Sequence, residues 1–187
     1  MSSELALAPE LPSWVVPATP EPDLTVIGIT ATGELYVYGD TPDKPGPTIP
    51  AVLGLVASLA ISQHGAKSKY GLRDYLDVRL RTPIPGSEVI LRLPCGDSDR
   101  VPWTVRSLLG AFAMLDLTDT AVKLQTKRGT DATFFRVFPH DDHGVELPEL
   151  RAEAIGPSRD DLEIAVDHIR RGLGQPPQFP SIHDQPV

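Results

Sequence analysis

Cysteine is nearly absent from the 187-residue chain, which contains only Cys95. A lone cysteine forms no internal disulfide and cannot build a cysteine-rich zinc site, so a reducing compartment is expected. The longest apolar run, Ala51 to Ile61, is far shorter than the roughly 20 residues of a membrane-spanning helix. No basic segment followed by a long apolar stretch is visible near Met1, so no signal peptide is expected. These absences predict a cytoplasmic protein with no membrane partner.

Proline is missing from two internal stretches, 51–82 and 103–138, although the chain contains 20 prolines in total. The prolines concentrate near the two ends, where periodic apolar patterns are also weak. This distribution predicts a flexible proline-rich arm over residues 1–23, a single globular domain over residues 24–174 and a flexible tail over residues 175–187.

Basic residues are scarce outside the middle of the chain. The formal net charge is −8, but residues 61–136 carry twelve Lys and Arg residues against eight acids. The segments on either side of this basic region each have a balance of −6. A summed negative charge repels polyanions at long range, whereas a local basic region can still attract them.

Alternating apolar and β-branched patterns predict most of the strands. The predicted strands are Leu24–Thr30, Glu34–Tyr38, Ile61–Lys69, Asp74–Arg81, Glu88–Leu93, Thr120–Lys127 and Ala132–Phe138. Helical spacing predicts three helices: Thr48–Ala60, an apolar helix Val105–Leu115 capped by Thr104, and a helix that begins at Ser158 with a capping box to Asp161.

This element order fits an α+β fold in two ways. Counting Ile61–Lys69 as a strand gives three strands, a helix and two strands, which is the order of the five-stranded OB barrel. Counting the first hairpin instead gives three hairpin-helix units, which would form an antiparallel sheet with helices on one face. Whether Ile61–Lys69 pairs with Asp74–Arg81 decides between the two architectures.

Cationic and aromatic side chains recur on the strand positions opposite the apolar ones. Single-stranded nucleic acid binding needs both types, because cations contact phosphates and flat rings stack on unpaired bases. Two glycine-containing basic loops, 67–71 and 127–130, add further cations. The predicted nucleic-acid-binding residues are Lys67, Lys69, Tyr70, Arg73, Tyr75, Arg79, Arg81, Arg92, Lys123, Lys127, Arg128, Phe134 and Arg136.

The sequence therefore favours a non-catalytic protein that binds single-stranded DNA or RNA, with DNA preferred. Homo-oligomerisation is compatible with this function. In the alternative hypothesis, the aromatics are buried, the cations pair with Asp77, Glu88 and Asp131, and the sheet face of an assembly or adaptor subunit packs against a protein partner. In the first hypothesis, the acidic flanks limit loose binding or contact partner proteins. No phosphate loop, nucleophile elbow or carboxylate pair indicates an enzyme, and no cofactor is expected.

A family resemblance agrees with the first hypothesis. The stretch Ser68-Lys69-Tyr70-Gly71 leads into Tyr75-Leu76-Asp77-Val78, and a hairpin, a buried helix and a second hairpin follow. Over residues 58–138 this order resembles OB-fold single-stranded DNA-binding proteins. The resemblance implies that Lys69, Tyr70, Tyr75 and Arg79 line the binding face. The first hairpin and the last helix lie outside that fold, and the tail lacks the acidic tip of the bacterial proteins. The hairpin-helix architecture instead resembles Whirly and PUR-alpha proteins, which also bind single strands.

Three other chemical signals point to structural roles. His140 and His143 flank two aspartates, but the loop offers no further ligand pair at helical spacing, so no metal site is expected. Cys95 follows Pro94 with no base nearby, which indicates a packed thiol rather than a nucleophile. Trp103 precedes an apolar helix and is expected to anchor the core.

Overall fold

A computed structural model describes residues 23–38, 45–64, 71–96 and 100–179 of the chain. The described residues form eight strands and two helices. The strands are β1 (Asp23–Ile29), β2 (Leu35–Tyr38), β3 (Pro45–Ile49), β4 (Val52–His64), β5 (Arg73–Arg81), β6 (Ser87–Pro94), β7 (Ala121–Arg128) and β8 (Thr133–Pro139). The helices are α1 (Trp103–Phe112) and α2 (Arg159–Gly172).

All eight strands belong to one sheet with the order β3-β2-β1-β6-β5-β4-β7-β8. The predicted α+β class is confirmed, and the sheet curls into an open half-barrel. The curl brings the β1–β2 hairpin close to the β7–β8 hairpin, as the hydrogen bond from the Arg128 guanidinium to the Thr32 carbonyl oxygen at 3.4 Å shows. The sheet is not purely antiparallel, since β1 pairs in parallel with β6.

Strand alternation defines the two faces of the sheet. One face carries buried apolar side chains such as Leu76, Val78 and Leu91, and we call it the inner face. Both helices contribute to the same core, with Leu108 and Leu162 fully buried. Burying this apolar surface is the main source of stability. We call the opposite face of the sheet the outer face.

The predicted helix over Thr48–Ala60 is wrong, because β4 occupies most of this segment. Val52, Gly54 and Val56 alternate as in a strand, and a β-bulge at Ala57 then shifts the next inward residue to Leu59. The shift creates a spacing of three between Val56 and Leu59, which imitates a helical period. The pairing that the sequence left open is settled, because β4 pairs with β5 from Leu55↔Arg81 to His64↔Arg73.

The two helix starts differ in how well local sequence predicts them. Ser158 and Asp161 form the predicted capping box, and the Ser158 hydroxyl lowers the pKa of Asp161. Thr104 is not the cap of α1. Pro102 takes the N-cap position without a side-chain hydrogen bond, and Thr104 is buried inside the first turn. Proline fits this position since its extended backbone leads directly into a helix.

The pairing of β4 with β7 stops at Leu55, and side chains complete the hydrogen bonding of β4 beyond this residue. The Gln178 amide accepts from the Ile61 N–H at 2.8 Å and donates to the Ile61 carbonyl at 2.7 Å, as a neighbouring strand would. Gln175 donates to the Ala57 carbonyl at 2.8 Å. Residues 175–179, assigned by the sequence to a tail, thus cover an otherwise open sheet edge.

The buried carboxylate of Asp167, which is 5% exposed, holds this covering segment by accepting from the backbone N–H of Gln178 at 2.6 Å. We expect Asp167→Ala to lower the free energy of unfolding by about 1 to 3 kcal/mol, because charge-assisted hydrogen bonds are lost. Urea denaturation measures the change. Glu163→Ala, which removes only a surface i,i+4 ion pair on the same helix, should cost about 0.5 kcal/mol or less. Equal effects of the two substitutions would contradict this role of Asp167.

Candidate nucleic-acid interface

The outer face gathers most of the residues that the sequence proposes for nucleic acid binding. Cross-strand register places them on two strand pairs, β5 with β6 and β7 with β8, opposite the buried positions, and β4 lies between the two pairs. The outer-face members of the predicted set are Arg73, Tyr75, Arg79, Arg81, Arg92, Lys123, Lys127, Phe134 and Arg136, and Gln125 and Phe138 lie among them.

Four predicted residues lie elsewhere. Lys67, Lys69 and Tyr70 fall outside the described residues. Arg128 occupies an inner-face position at the end of β7 and reaches the turn between β1 and β2, where it donates to Thr32. Arg128 therefore contributes to the curl of the sheet rather than to the outer face.

Ion pairs order the arginines of β5 and β6. Asp77 receives two hydrogen bonds from Arg92, at 2.8 and 3.2 Å, and a contact of 2.8 Å from His64 Nε2. Glu88 pairs closely with Arg79, whereas Arg81 lies 3.9 Å from the same carboxylate. The Arg81 side chain is 70% exposed, against 43% for Arg79 and 20% for Arg92, so it is the most accessible of these three arginines.

On β7 and β8 the cations lie over aromatic rings. The Lys123 ammonium is 5.4 Å and the Arg136 guanidinium 4.9 Å from the centre of the Phe138 ring. Lys127 lies 6.0 Å from the centre of the Phe134 ring. These distances fall in the cation–π range, so rings and cations form a continuous surface.

The segment after β8 supplies carboxylates to this surface. Lys123 pairs with Glu146 at 2.6 Å, and Arg136 pairs with Glu149 at 2.7 Å. The hydrogen bond from Arg136 lowers the pKa of Glu149. The alternative hypothesis correctly paired Asp77 and Glu88 with arginines, but it named Asp131 where the structure places Glu146 and Glu149.

Positive charge still exceeds negative charge on the outer face. Among the described residues, seven Lys and Arg side chains lie on the outer face of β5 to β8, against four carboxylates that pair there, those of Asp77, Glu88, Glu146 and Glu149. The described residues as a whole contain 14 Lys and Arg against 17 Asp and Glu, so the acidic excess of this part of the chain lies away from the outer face.

Sequence reasoning missed the tyrosines of β2. The rings of Tyr36 and Tyr38 lie 5.1 Å apart on the outer face, and both cover Gly28 of the neighbouring strand. A side chain on Gly28 would collide with both rings, since its Cβ would lie under 3 Å from each of them. Burial raises the pKa of Tyr38, and a side-chain hydrogen bond with Tyr36 adds to the shift. The alternation of the two tyrosines along β2 was the available signal.

The other candidate chemistry has structural explanations. Asp141 accepts from the backbone N–H groups of His143 and Val145, so it shapes its own loop. No group of three His, Cys, Asp or Glu side chains within the described ranges is arranged to hold a metal ion. Cys95 is buried, and burial raises the pKa of its thiol to about 12, which keeps it protonated near neutral pH. The expectation that Trp103 anchors the core is wrong, because Trp103 is 43% exposed.

The chain matches no family model, no curated protein and no solved structure with which it was compared. Within the described part of the chain, neither helix has the length and apolar character needed to cross a membrane.

Proposed function

We propose that the protein binds single-stranded nucleic acid, most favourably DNA, on the outer face without catalysing a reaction. One observation carries the proposal: the outer face presents cations on β5 and β6 and cations over aromatic rings on β7 and β8. Cations contact the phosphates of a single strand, and each stacked base contributes about 1 to 3 kcal/mol. No sequence-specific readout is needed for this mode of binding.

The ion pairs of the outer face are compatible with phosphate binding. The partly exposed pairs Lys123–Glu146 and Arg136–Glu149 contribute about 0 to 1 kcal/mol each, so a phosphate can replace these two carboxylates at small cost. Guanidinium groups bind phosphate in a bidentate manner, as Arg92 binds Asp77 here. The carboxylates also fix the orientation of Arg79 and Arg92 before a ligand arrives, which reduces the entropy lost on binding.

The negative net charge does not prevent local binding. At an ionic strength of 0.1 M the Debye length is about 10 Å, so acidic surfaces farther away are largely screened. Neighbouring β-strands lie about 4.8 Å apart. The cations of the outer face therefore lie within one Debye length of a nucleic acid bound on that face. Long-range repulsion would mainly slow association at low salt.

Fluorescence anisotropy with a labelled single-stranded oligonucleotide tests the proposal. We expect binding at low salt, and we expect log affinity to fall with log salt by about 0.7 per neutralised phosphate. A duplex of the same sequence is the matched control and should bind more weakly, because its bases are unavailable for stacking. Absence of binding at low salt by a monodisperse protein would contradict the proposal.

An adaptor role is the second candidate, and apolar residues at the β1 side of the outer face favour it. Leu24 is 46% exposed, and Val26 lies beside Ile90 on the same face. A protein partner seated there would bury apolar surface, so its affinity would respond little to salt. The salt titration therefore separates the two functions.

A further inference from the structure

A groove of about 360 Å³ opens at the edge of β8, beside the outer face. The segment after β8 first borders this strand, with the Leu150 N–H donating to the Val137 carbonyl. It then crosses to α1, where the Ile155 N–H donates to the Arg106 carbonyl. The groove lies where the segment leaves β8, and Trp103, Ser107, Phe134, Glu149, Leu150 and Ala152 line it.

The walls of the groove suit a flat aromatic ligand. Phe134 and Trp103 supply rings, while Leu150 and Ala152 supply aliphatic surface. The Arg106 guanidinium lies 4.2 Å from the centre of the Trp103 ring and donates to the Ile155 carbonyl, which holds the indole at the groove. Rings with this support present a large contact area at low cost in conformational entropy.

The groove is continuous with the basic surface through shared residues. Phe134 lines the groove and also carries the Lys127 ammonium over its ring. Glu149 lines the groove and pairs with Arg136 on the outer face. A phosphate held by Lys127 or Arg136 would therefore place its nucleotide at the mouth of the groove, next to polar groups of Glu149 and Arg151.

We propose that this groove receives one unpaired base of the strand bound on the outer face. This inference rests on the proposed function and names the site at which a base leaves the sheet surface. Phe134 and Trp103 contact the base, and Glu149 and Arg151 face its polar edge. Lys127 and Arg136 hold the adjoining phosphates.

Trp103 provides a direct signal for the test. The chain has two tryptophans, so Trp14→Phe leaves Trp103 as the only indole. We expect an unlabelled twelve-residue oligothymidylate to quench the fluorescence of Trp103, because a stacked base contacts the indole. An oligomer of the same length that lacks every base should bind through its phosphates without quenching.

A groove-filling substitution gives the second measurement. Ala152→Leu should weaken oligonucleotide binding about fivefold or more, since one stacked base is worth about 1 kcal/mol at least. Ala113→Leu, an exposed site at the end of α1 outside this groove, is the matched control and should leave the affinity unchanged. Circular dichroism checks that both variants are folded, and Trp103→Leu replaces Ala152→Leu if that variant is not.

The outcomes separate the two proposals. Salt-dependent oligonucleotide binding with unquenched Trp103, and with equal affinities for Ala152→Leu and Ala113→Leu, would overturn the groove site and leave the outer-face proposal standing. Equal quenching by the oligomer without bases would also overturn the groove site. Absence of any oligonucleotide binding at low salt would overturn both.

Discussion

Replacing Arg81 and Lys127 together by glutamine should weaken single-stranded oligonucleotide binding about tenfold or more at low salt. The two cations lie on β5 and β7, on either side of β4, and both are exposed. Removing two phosphate contacts should also reduce the slope of log affinity against log salt by about 1.4, since each contact contributes about 0.7. Anisotropy titrations at several salt concentrations measure both quantities.

Arg81 and Lys127 are better test positions than Arg79 and Lys123. The latter pair closely with Glu88 and Glu146, so their removal would leave carboxylates without these partners on the binding face. Arg81 approaches Glu88 only to 3.9 Å, and Lys127 contacts a ring rather than pairing closely with an acid. Surface substitutions of this kind usually change stability by less than about 0.5 kcal/mol, so any loss of binding reports on the face itself.

Arg100→Gln combined with Arg171→Gln is the matched control, because it removes the same charge from exposed sites before α1 and at the end of α2. We expect this variant to bind as the unchanged protein does, apart from a small effect of net charge. If both double variants lost affinity equally, binding would depend on total charge and the assignment of the outer face would be wrong.

Gly110→Ala should destabilise the protein by about 1 to 3 kcal/mol, although alanine is the better helix former. Gly110 is buried in α1, and a Cβ at this position would lie 2.0 Å from the Glu153 carbonyl oxygen. Backbone atoms cannot yield as a flexible side chain can, so α1 and the following segment must move apart. The gain in helix propensity, about 1 kcal/mol, is smaller than this strain.

Gly172→Ala is the matched control, because it changes helix propensity in the same way without creating a close contact. It lies in α2, and a Cβ there would meet no atom within 4 Å. We expect this substitution to leave stability unchanged or to raise it by up to about 1 kcal/mol. Thermal and urea unfolding of both variants measure the difference. A stabilising effect of Gly110→Ala would show that the close contact with Glu153 is not a tight constraint.

The predicted strands show where local sequence is informative. On β5 and β6 the side chains alternate strictly, so the two faces could be assigned before the strands were paired. The same rule failed at β4, because one bulged residue changed the phase of the pattern in the middle of the strand. A bulge depends on the partner strand as much as on its own residues, and this dependence is not visible in a single segment.

Local sequence did not predict which strands pair with each other. β1 reaches β6 across more than fifty residues in a parallel arrangement, and no short-range signal specifies that choice. Glu146 and Glu149 meet Lys123 and Arg136 only because the segment after β8 folds back along that strand, with the Leu147 N–H donating to the Pro139 carbonyl. The sequence had identified the cations but had assigned one of their acidic partners incorrectly.

Local sequence was sufficient to predict the α+β class, most strands, the cap of α2 and the separation of cationic from apolar residues along β5 to β8. Each of these follows from side-chain periodicity or from contacts within a few residues. The tertiary structure alone decided the order of the sheet, the cover on the edge of β4, the tyrosine pair beside Gly28 and the groove at β8. These features depend on contacts between segments far apart in the chain, whose free energy is set by the packing of the whole molecule.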